Sequence, residues 1–560
     1  MNPKYSGRLE LTWTNKDKRL LAHDDISYEW VSTTDYRVSE VRLLRDAGTV
    51  GVTEADDQRS ADNLLIQGDA LHALTSLASL PEFAEEYAGK VKLVYIDPPF
   101  NTGQTFSQYD DNLEHSVWLT MMRDRLLQVR DLLSPVGSVW LHLDDEEVHR
   151  ARCVLDEVFG ADRFVATVIW QKRYSRDNRP AIGPVHDFIL VYAPSGGEWK
   201  HHRNRIPRVE AKQYRNPNDD PRGRWRPIPM TAQGYRPNQM YEIVSPAGVV
   251  HTPPKGRCWS MVRERFDELL AEGRIYFGLD GRGQPNVIRY LDEDEGLVPW
   301  TWWPSEEVGH TDESKKEVLA MFPDIEAFDT PKPERLMERI IRIASNPGEI
   351  VLDCFGGSGT TAAVAHKMGR RWVTVEWSKD TLRDFLVPRL TKVVSGDDPG
   401  GVTDAVGWEG GGGFRIFDVA PSMFEADEGM VFLAEWATDS ALGEATAAQL
   451  RFEYEPFSPF CGRKGRQRLA VLDGIATPEI LDLLVSSLGE GEKLVLCATA
   501  IAPGAHEHLK AISSGSRLRK IPASILAEYR VAYRAQRRRE LNLEAGDAES
   551  KEQIPEKATG

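Results

Sequence analysis

The chain has 560 residues, 41% hydrophobic and 28% charged, with a net charge of −17; this is the composition of a globular protein of roughly two to four domains, and it excludes one that coats nucleic acid by bulk charge. No apolar run approaches the roughly 18 residues of a membrane span, and Met1-Asn2-Pro3-Lys4 leads into polar sequence without a signal core, so no membrane association is expected. The five cysteines are widely separated and form no Cys-x-x-Cys, which argues against a disulfide framework and a metal site and fits a reducing, cytoplasmic setting.

Residues 1–60 are polar, without periodicity, and read as an N-terminal extension packed on the main body. NLLIQGDALHAL (63–74) predicts strand, turn and helix, with Leu71, Leu74 and Leu77 at helical spacing and Asp69 at the position of a helix N-cap. KVKLVYID (90–97) predicts the next strand, and Pro98 and Pro99 must stop it because each fixes φ and removes a backbone donor. Asp97 is thereby held at a strand's carboxyl end with the Phe100 ring three residues on. An amphipathic helix over 116–137, stopped by Pro135 and Gly137, is followed by a strand (138–145), a helix (146–160) and strands at 164–170 and 186–193. This alternation is the α/β pattern with a mainly parallel sheet.

The alternation fades between about 195 and 300, where Pro, Gly and Arg dominate. From Gln171 to Arg236 there are 14 Lys and Arg against 6 Asp and Glu, interleaved with Tyr174, Trp199, Tyr214, Trp225 and Tyr235 and with His201 and His202. A basic stretch with planar side chains resembles a nucleic-acid surface, and Arg203, Arg205 and Arg208 are its candidate DNA contacts. Trp300, Trp302 and Trp303 read as packing residues.

The α/β pattern returns at 349–377 as strand, Gly loop, helix and strand. In DCFGGSGTT (353–361), Gly356, Gly357 and Gly359 allow a tight turn and close approach to a ligand, and Glu376, 17 residues after Gly359, ends the next strand where a carboxylate can accept from both ribose hydroxyls. No Lys follows Gly359, so a P-loop is disfavoured, and GGSG departs from the GxGxxG of a dinucleotide site. A nucleoside without phosphates, S-adenosylmethionine (AdoMet), suits this loop, with Asp353 facing its amino-acid end. GWEGGGGF (407–414) marks a linker before a further α/β region, Arg517 to Arg539 reads as a basic helix, and 541–560 as a disordered tail.

Asp97-Pro98-Pro99-Phe100 resembles the catalytic motif of amino-directed DNA methyltransferases, and Asp353-x-Phe355-x-Gly357-x-Gly359 resembles their AdoMet-binding loop. The catalytic motif first, a basic stretch between and the AdoMet loop last is the order of the circularly permuted β group. The segments VATVIWQK, VGHTDESKKEV and FDTPKPERLMERIIRIASNPGEIVLDCFGGSGTTAAVA further resemble the modification (Mod) subunits of type III restriction–modification systems. The resemblance implies a permuted Rossmann-like AdoMet methyltransferase with a catalytic half at 61–194, a target-recognition region at 195–300, an AdoMet-binding half at 301–395 and a C-terminal domain at 396–540. It implies that Asp97 and the Pro98 carbonyl accept the two N–H bonds of a flipped-out base amine, with Phe100 stacked on the base and Asn101 and Thr102 shaping the entrance. It implies that Asp353, Phe355, Gly356, Gly357, Ser358, Gly359, Thr360 and Glu376 hold AdoMet, joined by Lys332 at its carboxylate and Asp69 at its adenine end.

Asp at the first motif position leans to adenine N6 over cytosine N4, and no Pro-Cys exists to supply the nucleophile of C5 methylation. The partners implied are double-stranded DNA, a second copy of the chain in a homodimer, and a separate ATP-using restriction subunit, since the chain has neither a P-loop nor helicase motifs. Three alternatives stand beside this reading. They are a solitary β-group adenine or cytosine-N4 methyltransferase, a non-catalytic DNA-binding module that keeps the fold, and a Rossmann dehydrogenase, which leaves Asp97-Pro98-Pro99-Phe100 unexplained.

Overall fold

The computed structural model describes residues 9–23, 27–56, 58–101, 113–176, 181–208, 214–217, 219–293, 296–323, 328, 330–398, 400–427, 430–433, 441–521, 534 and 536–541. Thr102 lies outside them, as does the expected tail apart from Leu541. The chain divides into two compact units, 205–299 and the remainder.

The larger unit is built on one ten-stranded sheet. Its strands in chain order are β1 (Leu44–Gly51), β2 (Leu64–Gln67), β3 (Val91–Ile96), β4 (Leu133–Leu143), β5 (Phe164–Gln171), β6 (His186–Tyr192), β7 (Trp302–Trp303), β8 (Ile350–Asp353), β9 (Arg371–Glu376) and β10 (Gly413–Val419). They lie in the order β7-β5-β6-β4-β3-β8-β9-β2-β10-β1. Only β6 and β1 run against their neighbours, so the sheet is mainly parallel, as the alternation of elements predicts. β2, β3 and β8 read as continuous apolar runs because both faces are covered: every residue of each is buried. Helices α1 (Ala70–Ser79) and α2 (His115–Leu132) pack on each other, as do α3 (Glu334–Ala344) and α4 (Thr360–Lys367).

The sheet order makes the site. β8 leads through the Gly loop and α4 to β9 on one side, whereas β3 is followed by α2 and then β4 on the other. Between neighbouring strands whose continuations diverge, the crevice beyond the carboxyl ends stays open, which is where open α/β sheets bind ligands. Asp353 stands opposite Tyr95 in the β8–β3 register, so the two motifs leave the sheet side by side although 256 positions separate Asp97 from Asp353.

Several expectations need correction. The helix expected over 116–137 ends at Leu132, and β4 already begins at Leu133. Pro135 and Gly137 sit instead in the irregular step where the β3–β4 register shifts, a place where missing ladder bonds are tolerated. Residues 44–51 are not an accessory extension but the sheet's edge strand, and 413–419 belong to the same sheet rather than to a separate C-terminal domain. Arg415, buried on β10, explains the attachment: it pairs with Asp46 at 2.9 Å and with Asp62 at 3.0 Å. A distinct five-stranded sheet starts only at Glu453, and Arg517–Lys520 is its last strand rather than part of a helix. Its residues Leu472, Ile475 and Leu496 join the same apolar core as β3 and β8.

The smaller unit carries a three-stranded sheet formed by Trp225–Pro229, Asn286–Tyr290 and Ile275–Tyr276, with the helix Arg263–Ala271 beside a core of Met230, Ile243, Trp259, Phe266 and Phe277.

Candidate active site

Asp97 follows the last residue of β3, and its two oxygens differ. Oδ2 accepts from Lys332 Nζ at 2.5 Å. Oδ1 is buried and has no hydrogen-bond partner among the described residues. An orphaned buried carboxylate oxygen is costly, and a ligand's N–H would relieve that cost. Pro99 is fixed by Trp118 of α2, whose Nε1 donates to its carbonyl at 2.7 Å. Asn101 then turns the chain with φ +63°, a left-handed conformation that Asn tolerates better than most residues. Its amide donates to the fully buried Glu147 at 2.8 Å, and His115 Nδ1 lies 2.5 Å from the same oxygen.

Phe100 is half-buried and stacks on His142 of β4, with ring centroids 5.8 Å apart and an interplanar angle of 29°. Burial pushes the His142 imidazole below its usual range, against the pull of Asp187. A neutral ring that donates from Nε2 to Asp187 (3.3 Å) leaves Nδ1 to accept from the Tyr95 hydroxyl at 2.8 Å. Lys172, just past the end of β5, closes the chain on Asp187 at 2.5 Å, so the platform beneath Phe100 is a hydrogen-bonded group on β3, β4 and β6 anchored from the end of β5. Sequence reading missed this group. The one signal was a histidine inside the otherwise apolar SVWLHL; nothing local links it to Asp187 or Phe100.

The glycine loop leaves β8 beside it. Gly357 and Gly359 have φ of +49° and +78°, which side chains rarely adopt, and the amide of Gly356 donates to the Val375 carbonyl at 2.8 Å. Glu376, at the end of β9, accepts from Gly357 N and from Ser378 N, each at 2.8 Å and each on a different oxygen. Both oxygens retain a lone pair for a ligand hydroxyl. Burial pushes the Glu376 carboxyl up to about 7, opposed by the backbone donors of Ser378, Gly357 and Trp377. Asp353 is likewise pushed up to about 7 by burial, against hydrogen bonds from Thr361 and Phe355 and with the neighbouring charges of Asp97 and Glu376 adding to the rise. Ser358 and Thr360 share a hydroxyl contact of 3.1 Å, and Arg389 donates to Ser358 O and Thr360 Oγ1 from below.

The segments Asp97 to Phe100, Asp353 to Thr360 and Glu376 thus all follow or end the adjoining strands β3, β8 and β9 at their carboxyl ends. Two expected cofactor residues have other partners. Lys332 pairs with Asp97, and Asp69 caps α1 through Leu71 N at 2.6 Å while both its oxygens lie 3.0 Å from Arg125 Nη2. Arg203 belongs to the larger unit, Arg205 and Arg208 to the smaller. In the smaller unit Arg205 lines a cavity of about 330 Å³ with Arg265, Arg274, Arg289 and Glu293. The aromatic residues of the basic stretch divide. Trp199, Tyr214 and Trp225 are buried, Trp199 against Trp140, Trp225 with Ile288 and Tyr290, and Tyr214 under the Arg226 guanidinium, whereas Tyr174 and Tyr235 are exposed. Trp303 is buried as expected, whereas Trp300 and Trp302 are exposed at 60% and 47% and are not core residues.

The chain is 32% identical over 342 residues to the type III restriction-modification enzyme StyLTI Mod subunit of Salmonella typhimurium, covering 55% of this chain and 50% of that one. It is 30% identical over 431 residues to the probable type III HindVI Mod subunit of Haemophilus influenzae, covering 65% and 55% respectively. It is 27% identical over 366 residues to the type II methyltransferase M.EcaI of Enterobacter cloacae, covering 63% and 77%. The chain spans about half the length of the two Mod subunits. A family model described as DNA methylase matches residues 91–386, from the first residue of β3 through the glycine loop and beyond β9, which is just over half of the chain. The chain belongs to this N6/N4 DNA methylase family.

Proposed function

We propose that the chain transfers a methyl group from AdoMet to the N6 amine of adenine in double-stranded DNA, as the modification subunit of a type III system that works with a separate ATP-using restriction subunit. The observation that carries the reading is the divided carboxylate of Asp97: one oxygen is held by Lys332, which also lies over the Phe100 ring, and the other is buried and without a hydrogen-bond partner among the described residues. An exocyclic amine is a poor nucleophile because its lone pair is conjugated with the ring. Asp97 Oδ1 accepts one of its N–H bonds and draws nitrogen towards a tetrahedral geometry. Phe100, backed by His142, offers the face on which a flipped base stacks. The contribution of these residues is positioning and electrostatics.

The crevice fits AdoMet on its own chemistry. The positive φ of Gly357 and Gly359 lets backbone approach a ligand, Glu376 presents two lone pairs to ribose hydroxyls, and Asp353 offers a carboxylate to an ammonium group. Bound there, AdoMet would supply an electrophilic methyl carbon on sulfur as the group transferred to the amine nitrogen, with the thioether as leaving group. Asp97 takes up the proton that nitrogen then sheds and passes it to water. Preference for adenine rests on Asp97 at the first motif position, and the relatedness to Mod subunits supports the type III context. The smaller unit, with its arginine-lined cavity, is the proposed DNA-reading part.

Asp97→Ala tests the assignment. Transfer of labelled methyl from AdoMet to DNA should fall by about 10²-fold or more, while AdoMet and DNA affinities stay near wild type. Retention of more than about a tenth of the rate would remove Asp97 from the chemistry.

A further inference from the structure

Lys332 has a place that neither the family match nor an AdoMet contact accounts for. It stands between Pro331 and Pro333, immediately before α3, with its side chain only 10% exposed. Its ammonium lies 2.5 Å from Asp97 Oδ2 and 5.0 Å from the centroid of the Phe100 ring. It therefore touches both residues proposed to hold the base. The crevice around it is acidic: Asp97, Asp353 and Glu376 lie close enough for the charges of Asp97 and Glu376 to act on Asp353. A cation at Oδ2 offsets that repulsion and, by fixing one oxygen, sets the carboxylate's rotation so that the other is presented. A free Asp side chain has a broad, nearly two-fold terminal torsion and would present neither oxygen consistently.

The lysine is itself held. Two residues on, Glu334 is buried at 1% exposure and pairs with Arg389 at 2.8 Å and Lys367 at 2.7 Å. It also accepts from Val402 N at 3.0 Å. Arg389 in turn donates to Ser358 O at 3.2 Å and Thr360 Oγ1 at 2.9 Å in the glycine loop. The short turn 332–334 thus ties the catalytic carboxylate at one end to the glycine loop at the other. A buried charge so completely partnered resists displacement, because removing any one partner leaves another uncompensated.

We propose that Lys332 is a positioning residue that acts through Asp97: it clamps Oδ2, leaves Oδ1 for the incoming amine, and is kept in register with the glycine loop by Glu334 and Arg389. This rests on the methyltransferase reading above and adds to it a residue whose role is orientation of the catalytic carboxylate rather than capture of AdoMet.

The test uses the full chain as wild type, Lys332→Met and Lys332→Arg. AdoMet affinity is measured by calorimetry, DNA affinity by fluorescence anisotropy, and the methyl-transfer rate in a single turnover with both ligands saturating. The expected result is a rate at least about tenfold lower in Lys332→Met, both affinities within about twofold of wild type, and recovery of most of the rate in Lys332→Arg, since positioning contributes to the chemical step rather than to ground-state binding. Weakened AdoMet binding with an unchanged saturated rate would overturn the proposal and make Lys332 a cofactor ligand. An unchanged rate and unchanged affinities would overturn it by making the ion pair incidental. A Lys332→Met chain with a lowered melting temperature and a Lys332→Arg chain that is stable yet as slow as Met would also overturn it. A wild-type chain that binds AdoMet and DNA but transfers no methyl group would sink the underlying functional reading, and the proposal with it; the wild-type control separates that failure from the others.

Discussion

Glu376→Gln probes the cofactor half of the crevice with almost no change of shape. Glu376 uses one oxygen for Gly357 N and the other for Ser378 N. In the Gln variant one of those backbone donors must face an NH2 group at about the same distance, and the charge that strengthens every remaining bond is lost. A hydrogen bond to a charged group contributes about 1.5–3 kcal/mol, so losing one ribose contact of that kind weakens AdoMet binding by about 10- to 150-fold. A second signature follows from the carboxyl's position, pushed up to about 7 by burial. The ionised form accepts from the ribose, so wild-type affinity should rise with pH through about 7 and level off above it. At about pH 6 only roughly a tenth of the carboxyl is ionised, which weakens binding about tenfold relative to about pH 8. Asp353, also near 7, adds a second titration that steepens the wild-type profile and remains in the variant. Calorimetric titration of AdoMet across about pH 6 to 8.5 should therefore show a weaker and shallower profile for Glu376→Gln. Equal affinity and an equal slope would refute the ribose contact.

Gly357→Val should weaken AdoMet binding and lower the melting temperature, because a β-branched residue at φ +49° costs roughly 1–2 kcal/mol and its side chain enters the crevice beside Phe328; calorimetry and thermal unfolding check both. Replacing Arg203, Arg205 and Arg208 together by Ala should weaken DNA binding about uniformly across sequences, with the slope of log affinity against log salt reduced by about 0.9 for each lost phosphate contact; an unaltered slope would assign those arginines to a solvated face.

What the sequence made legible was local. Asp97-Pro98-Pro99-Phe100 and Asp353 to Gly359 announce themselves because Pro and Gly impose backbone conformations within a few residues of the groups they position. Glu376 was legible for the same reason, as the end of an apolar run at a fixed distance from the loop. The partners of these residues were not. Lys332 meets Asp97 across 235 positions, and only the adjacency of β3 and β8 brings the two segments together. Trp199 and Trp225 looked like a stacking surface because composition counts aromatic residues without saying which face a fold will bury. Residues 44–51 carried no periodicity that distinguished an edge strand from an extension, and their place is fixed by pairing with a strand more than 350 positions later. Asp69 shows the reverse case: the N-cap signal was in the sequence, and the side chain caps α1 through Leu71 N.

The most direct test of the account is the identity of the methylated nucleoside. Duplex DNA of mixed sequence is incubated with the wild-type chain and AdoMet carrying a labelled methyl group, digested to nucleosides and resolved by mass spectrometry, with Asp97→Ala as the control. The account predicts labelled N6-methyldeoxyadenosine from the wild type and none above background from the variant. Labelled N4-methyldeoxycytidine would contradict the adenine assignment, and absence of any labelled nucleoside, with AdoMet and DNA both bound, would contradict the assignment of the chain as an active methyltransferase.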